Sequence, residues 1–361
     1  MADFSAYTGP SAEWLALEAT LPAVPDDLTA EQIKSFMNKT REESAARDMI
    51  DLGLSSAVQM HDHTVIGRDG TALEVRTYRP AGVPISERLP VYVHLHGGGF
   101  LFGTLSSEDA TCSLIVTSRV QQGTPVVVLN LNYRHTPEHG YPAAWHDVED
   151  TFVWLHEHIA EIGGLSDRVV VGGISAGAWL TASLVLTQLR GEDERLSALP
   201  KIAGQVLMIP CLVVSEHYAP RMEMLKSPEL SSYVQCAEAP ILPMSRMKLF
   251  SDLLLANNKD AINDRKISPG NATAEEIKQL PPTTFGIAGN DPLRDEGLFF
   301  AQELAANGVP TDVHVFPGVP HGFRRYGDKL SESKRWDEVM SNGISWALSN
   351  PAPAPFAIKA E

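Results

Sequence analysis

Cysteine, basic charge and long apolar runs are all scarce in this chain of 361 residues, and each shortage removes a class of function. The three cysteines, Cys112, Cys211 and Cys236, form an odd set without C-x-x-C spacing. They argue against a disulfide framework and fit free thiols in a reducing compartment. Lysine and arginine number 29 against 45 acidic residues, for a formal net charge of −16. Repulsion then disfavours nucleic acid and anionic membrane surfaces as partners, and solubility is reason enough for the charge. No stretch approaches the roughly 20 apolar residues of a membrane span. Met1 to Trp14 lacks a basic region followed by an apolar run, so no secretory signal is expected and a cytoplasmic protein is. The N-x-T sequons at Asn38 and Asn271 carry little weight without such a signal. The apolar fraction, 43%, is ordinary for a globular protein and supplies a sizeable core. The length suits one large α/β domain with a lid.

The first fifty-odd residues read as helical. Thr29 and Gln32 form a capping-box pattern ahead of Ile33, Phe36 and Met37, which share a helical face expected to cover something. Strand signals start near Val58, and Arg68-Asp69-Gly70 turns into the alternating Leu73, Val75 and Thr77, a hairpin pattern. From Leu89 onward short apolar strands alternate with helices. Val91–His96, Val126–Leu131, Val169–Gly173, Val206–Ile209, Thr284–Ala288 and Val313–Phe316 read as buried strands. Helical patterns cover Ser106–Gln122, Ala143–Ile162, Ala176–Arg190 and Arg294–Asn307, the last ending in Asn307-Gly308. This alternation predicts a mostly parallel sheet with both faces covered and ligands bound beyond the carboxyl ends of its strands. Ser215 to Ser268, rich in Met, Leu and Pro, breaks the alternation and reads as an inserted helical lid. Its methionines, Met222, Met224, Met244 and Met247, suit an adaptable apolar surface or ordinary lid core.

Gly173-Ile174-Ser175-Ala176-Gly177 joins a Val/Gly strand to an Ala/Leu helix. In such a G-x-S-x-G elbow the serine occupies a tight turn, so the residues two before and two after must be small. The hydroxyl then projects over the sheet at a helix N-terminus, where N–H groups favour negative charge. His96-Gly97-Gly98-Gly99-Phe100 ends an earlier strand. There Gly98 and Gly99, with the Ala176 N–H, would form an oxyanion hole; a plain glycine turn is the bland alternative. A phosphate loop is ruled out by the missing Gly-Lys-Ser/Thr and G-x-G-x-x-G spacings, and no cofactor is expected. A serine nucleophile needs a base and an orienting carboxylate. His321 follows a strand within a turn-rich loop, and Asp291 ends another in Gly289-Asn290-Asp291-Pro292. The order Ser, Asp, His is that of the α/β-hydrolase triad. Asp295 and Glu296 are rival carboxylates, but they fall inside the next helix, which suits structural roles. The pairs His94/His96, His61/His63 and His156/His158 have no third ligand at metal spacing, so no metal site is expected.

Taken together, His96–Phe100 with Gly103, Tyr133-Arg134, Pro137-Glu138, Tyr141-Pro142-Ala143-Ala144 leading to Asp147, the Ser175 elbow, Asp291-Pro292-Leu293-Arg294-Asp295-Glu296-Gly297 and His321-Gly322-Phe323 resemble the hormone-sensitive-lipase-like carboxylesterases. The resemblance runs from about Leu89 to Phe323. It implies an α/β-hydrolase fold with an eight-stranded sheet and a helical cap, and ester hydrolysis through an acyl-enzyme. Carried onto this chain, it implies Ser175, Asp291 and His321 as triad and Gly98, Gly99 and Ala176 as oxyanion hole. Two departures bear on substrate preference: Ile174 stands where many members have Asp, and Trp179 where a small residue is common. The boundaries expected are residues 1–55 for an N-terminal cap segment, 56–214 and 269–350 for the core, 215–268 for the inserted cap, and 351–361 for a Pro/Ala tail. The triad does not separate an esterase of small to medium esters from a lactonase, an arylformamidase or an acyl hydrolase of secondary metabolism. A non-catalytic receptor of this fold would lack the histidine that His321 supplies. The family allows a homodimer, with no interface legible in the sequence.

Overall fold

The computed structural model describes residues 1–22 and 28–360; residues 23–27 of the expected N-terminal cap segment and residue 361 of the tail lie outside them. One sheet carries the strands β1 (Val58–Ile66), β2 (Ala72–Pro80), β3 (Leu89–Leu95), β4 (Val127–Asn132), β5 (Gly164–Ile174), β6 (Gly204–Met208), β7 (Thr283–Asn290), β8 (Thr311–Pro320) and β9 (Ile358–Lys359). Their spatial order is β1-β2-β4-β3-β5-β6-β7-β8-β9. β1 pairs antiparallel with β2, and β2 antiparallel with β4. All other pairings are parallel. The first eight strands are those the sequence implies. The ninth comes from the segment read as a tail, where Ile358 and Lys359 lie along β8 and tie to it through the Lys359–Asp312 ion pair at 2.6 Å.

The middle stretches of the central strands, such as Val91–Val93, Val127–Leu129 and Val169–Val171, are apolar because both their faces are covered. Alternate residues serve opposite faces. Val91, Val93, Leu95, Leu129 and Leu131 pack with Trp145, Phe152, Leu184 and Leu298, from the helices Ala143–His158, Ala176–Arg190 and Arg294–Ala306. Tyr92, Val128, Val170, Val206 and Met208 pack with Ile115, Val116, Trp336 and Ile344, from the helices Asp109–Gln121 and Glu332–Ala347. No helix among the described residues is long and apolar enough to cross a membrane.

Two segments differ from their expected form. The helix Ala30–Asp51 opens on the Thr29/Gln32 capping box. Its buried residues, however, are Ile33, Ala45 and Met49, while Phe36 is 57% exposed. Polar side chains on the same helix make the contacts with the core described below. Residues 215–268 are helical but broken: Met244–Leu255 is the one helix of twelve residues, and the rest are single turns. Pro220 and Pro228 stand in the first turn of the pieces they open and Pro243 caps the helix Met244–Leu255, so each keeps the preceding turn from running on into the next.

Candidate active site

Four strand ends converge on one place. Ser175 follows β5 directly, with φ 56° and ψ −115°, a region that L-residues avoid at a cost of about 1–3 kcal/mol. Two hydrogen bonds hold it there: its N–H donates to the Met208 carbonyl at 2.8 Å, and its carbonyl accepts from Trp179 N–H at 3.0 Å. The turn is too tight for a side chain at Gly177, where a Cβ would run into the Leu95 carbonyl. Steric crowding therefore fixes the glycine of the elbow pattern.

Asp291 follows β7 and His321 follows β8. Their side chains meet Ser175 in one hydrogen-bonded chain, with His321 Nε2 2.9 Å from Ser175 Oγ and His321 Nδ1 2.7 Å from Asp291 Oδ2. The second carboxylate oxygen of Asp291 accepts the Leu293 N–H at 2.9 Å, which fixes its rotamer. Asp291 and His321 are buried, whereas Ser175 stays partly open. A hydroxyl beside an imidazole that is itself oriented by a carboxylate can lose its proton as it attacks a carbonyl carbon.

The glycine turn follows β3 and lies against the elbow, since a Cβ on Gly97 would meet the Ile174 carbonyl at 2.7 Å. Gly98 has φ 140° and Gly99 φ 59°, and at Gly98 a Cβ would also strike the Phe102 carbonyl. Among the described residues, the N–H groups of Gly98, Gly99 and Ala176 donate to no other protein group. Three unengaged donors beside a nucleophile suit a developing oxyanion. Tyr133 Oη braces the turn by donating to the His96 carbonyl at 2.7 Å, as does Thr136 N–H by donating to Phe100 at 2.8 Å.

The rival carboxylates are occupied elsewhere. Asp295 accepts from Ser232 N–H and pairs with Arg294; Glu296 accepts from Leu212 N–H and receives the Tyr233 hydroxyl. Burial pushes the Glu296 carboxyl up to about 8, against the pull of its backbone donors. Three of the paired histidines contact groups other than metal. His94 Nε2 lies 2.8 Å from Glu108, His96 stacks on Tyr133 at 4.2 Å, and His63 bonds Thr77. From the segment 215–268, Phe250 lies over Gly99, where a Cβ would run into its ring, and it packs edge-on against Phe102 at 6.2 Å. Trp179 joins an aromatic cluster, with Phe100 at 5.5 Å and Trp145 at 5.8 Å. Sequence reasoning missed Asn38, Arg41 and Glu42, which reach the glycine turn from the N-terminal helix. On a helix their spacing looks like an ordinary solvated face.

A family model described as alpha/beta hydrolase fold matches residues 92–325. Esterase LipI of Mycobacterium tuberculosis is 34% identical over 261 residues, covering 72% of this chain and 73% of that protein. Carboxylesterase NlhH of the same species is 32% identical over 266 residues, covering 73% and 75%. Among solved structures, vibralactone cyclase superposes with a TM-score of 0.82 over 95% of this chain and 96% of its own, at 24% identity. Similarity at that identity speaks for the fold alone. The chain belongs to the hormone-sensitive-lipase-like carboxylesterases of the α/β-hydrolase fold and is a carboxylic ester hydrolase.

Proposed function

We propose that this chain hydrolyses small to medium carboxylic esters through an acyl-enzyme on Ser175. Neutral His321 takes the Ser175 proton as Oγ bonds to the ester carbonyl carbon. Asp291 holds the imidazole with Nδ1 protonated and stabilises the imidazolium. The tetrahedral oxyanion is received by the N–H groups of Gly98, Gly99 and Ala176. Collapse breaks the bond to the alkoxide, which leaves with the proton from His321. Water then repeats the sequence on the acyl-enzyme and releases the acid.

The observation that carries this reading is the unbroken hydrogen-bond chain from Ser175 through His321 to Asp291. Residues 1–55 and 215–268 act in this proposal as the cap that selects acyl and alcohol groups, on the strength of Phe250 lying over Gly99. The partner it requires is a small-molecule ester. A cytoplasmic location belongs to the same proposal, because Cys112, Cys211 and Cys236 are all free thiols. Hydrolysis of p-nitrophenyl acetate, butyrate and longer esters tests it, with Ser175→Ala alongside. Turnover by the wild type that the variant lacks is expected; equally slow hydrolysis by both would sink the proposal.

A further inference from the structure

One peptide unit carries both the Gly97 carbonyl and the Gly98 N–H, and in a planar trans unit the two point in opposite directions. Whatever grips the carbonyl therefore aims the N–H. The Gly97 carbonyl accepts from Arg41 Nη1 at 2.9 Å and lies 3.1 Å from His96 Nδ1. Arg41 belongs to the helix Ala30–Asp51, far away in sequence.

The neighbouring donors are held differently. The Gly98 carbonyl, which shares a peptide unit with the Gly99 N–H, accepts from Leu101 N–H at 3.0 Å and Phe102 N–H at 3.3 Å within the same turn. Ala176 N–H is fixed by the helix it opens. Of the three donors, Gly98 N–H alone depends on a side chain from a remote segment. It is also flanked by Gly97, which has no Cβ to resist rotation of that peptide unit.

Arg41 is itself anchored. Its Nη2 pairs with Glu108 Oε1 at 2.5 Å, and Glu108 Oε2 lies 2.8 Å from His94 Nε2 on β3. Burial would raise the Glu108 carboxyl, but Arg41 and His94 outweigh it and hold it down to about 2, so the anchor remains charged. On the same helical face, Asn38 Oδ1 accepts from Gly103 N–H at 2.8 Å and Glu42 Oε1 from the Thr104 hydroxyl at 2.7 Å. The helix thus grips both ends of the turn 97–104.

We propose that Arg41 is a positioning residue for the oxyanion hole: by holding the Gly97 carbonyl it keeps the Gly98 N–H directed at the developing oxyanion. The N-terminal helix thereby takes part in transition-state stabilisation. This rests on the role proposed above for Ser175 and its neighbours.

The test compares Arg41→Gln and Arg41→Lys with the wild type on p-nitrophenyl butyrate, and measures inhibition by an alkyl trifluoromethyl ketone. The ketone adds to the serine as a hemiketal oxyanion and so reports on the hole. Removing an oxyanion donor outright costs about 10²–10³ in kcat, so loosening one in Arg41→Gln should cost roughly 10–100-fold. KM should change by less than about twofold, because the interaction strengthens only in the transition state. The inhibition constant for the ketone should rise by the factor that kcat/KM falls, and Arg41→Lys, whose ammonium keeps the charge and can still donate to the Gly97 carbonyl, should recover part of both. Should Arg41→Gln fail to fold, Glu108→Gln leaves Arg41 without its charged anchor and is expected to show smaller shifts in the same pattern. An unchanged kcat, or a lost kcat with unchanged affinity for the ketone, would overturn the proposal. Ser175→Ala separates the two readings. If it keeps wild-type turnover the reading of the site falls, and if it is inactive while Arg41→Gln is unaffected only the role of Arg41 falls.

Discussion

At Ser175, backbone strain and hydrogen bonding act together. A residue at φ 56° persists only because Met208 and Trp179 hold its backbone from either side. The side chain is then delivered to His321, and His321 to Asp291, at distances of 2.9 and 2.7 Å. Asp291→Asn keeps the size of the side chain but can present its amide to Nδ1, which favours the wrong tautomer. We predict a fall in kcat of about 10⁴ with little change in the melting temperature. A loss below tenfold would mean that another group orients the imidazole.

Among the elements, the ones legible in the sequence are those whose environment is uniform. Parallel strands buried on both faces must be apolar, so Val91, Val93, Val169–Val171 and Val206 announce themselves. The elbow and the glycine turn are legible because sterics admit few residues there. The N-terminal helix is legible in existence but not in docking. Ile33 is buried as its apolar pattern suggests, yet Phe36 points outward while Asn38, Arg41 and Glu42 grip the core. Hydropathy does not distinguish such a polar contact from a solvated face. The strand β9, two residues long, is too short for any period to register. Prolines open several of the short pieces of the segment 215–268, and the helix Met244–Leu255 brings a large side chain, Phe250, against Gly99. Phe250→Ala should therefore open the space beside the oxyanion turn and raise the relative rate on longer acyl chains over acetate by severalfold. An unchanged chain-length profile would remove Phe250 from the specificity determinants.

Across the whole molecule, buried titratable groups set the pH range of stability. Burial lowers the His96 imidazole to about 4, and burial together with neighbouring cations lowers that of His135 to about 2. The ordinary value is about 6.5. Their folded pKa values lie below the unfolded one, so their contribution is complete above about pH 6.5 and is lost as pH falls toward 4 and below. Glu296, raised by burial to about 8, works the other way. Its contribution is complete below the ordinary carboxyl range and is lost as pH rises toward 8. Thermal unfolding followed across pH should show a maximum in the mildly acidic range, and Glu296→Gln should flatten the alkaline limb. A melting temperature constant from about pH 4 to 9 would contradict this assignment of buried neutral groups. The central claim, an acyl-enzyme on Ser175, is tested most directly by acid-quenching the enzyme during turnover of p-nitrophenyl butyrate and mapping its peptides by mass spectrometry. The expected result is one butyryl group on the peptide containing Ser175, absent from Ser175→Ala. A butyryl group on another residue, with turnover intact in Ser175→Ala, would contradict it.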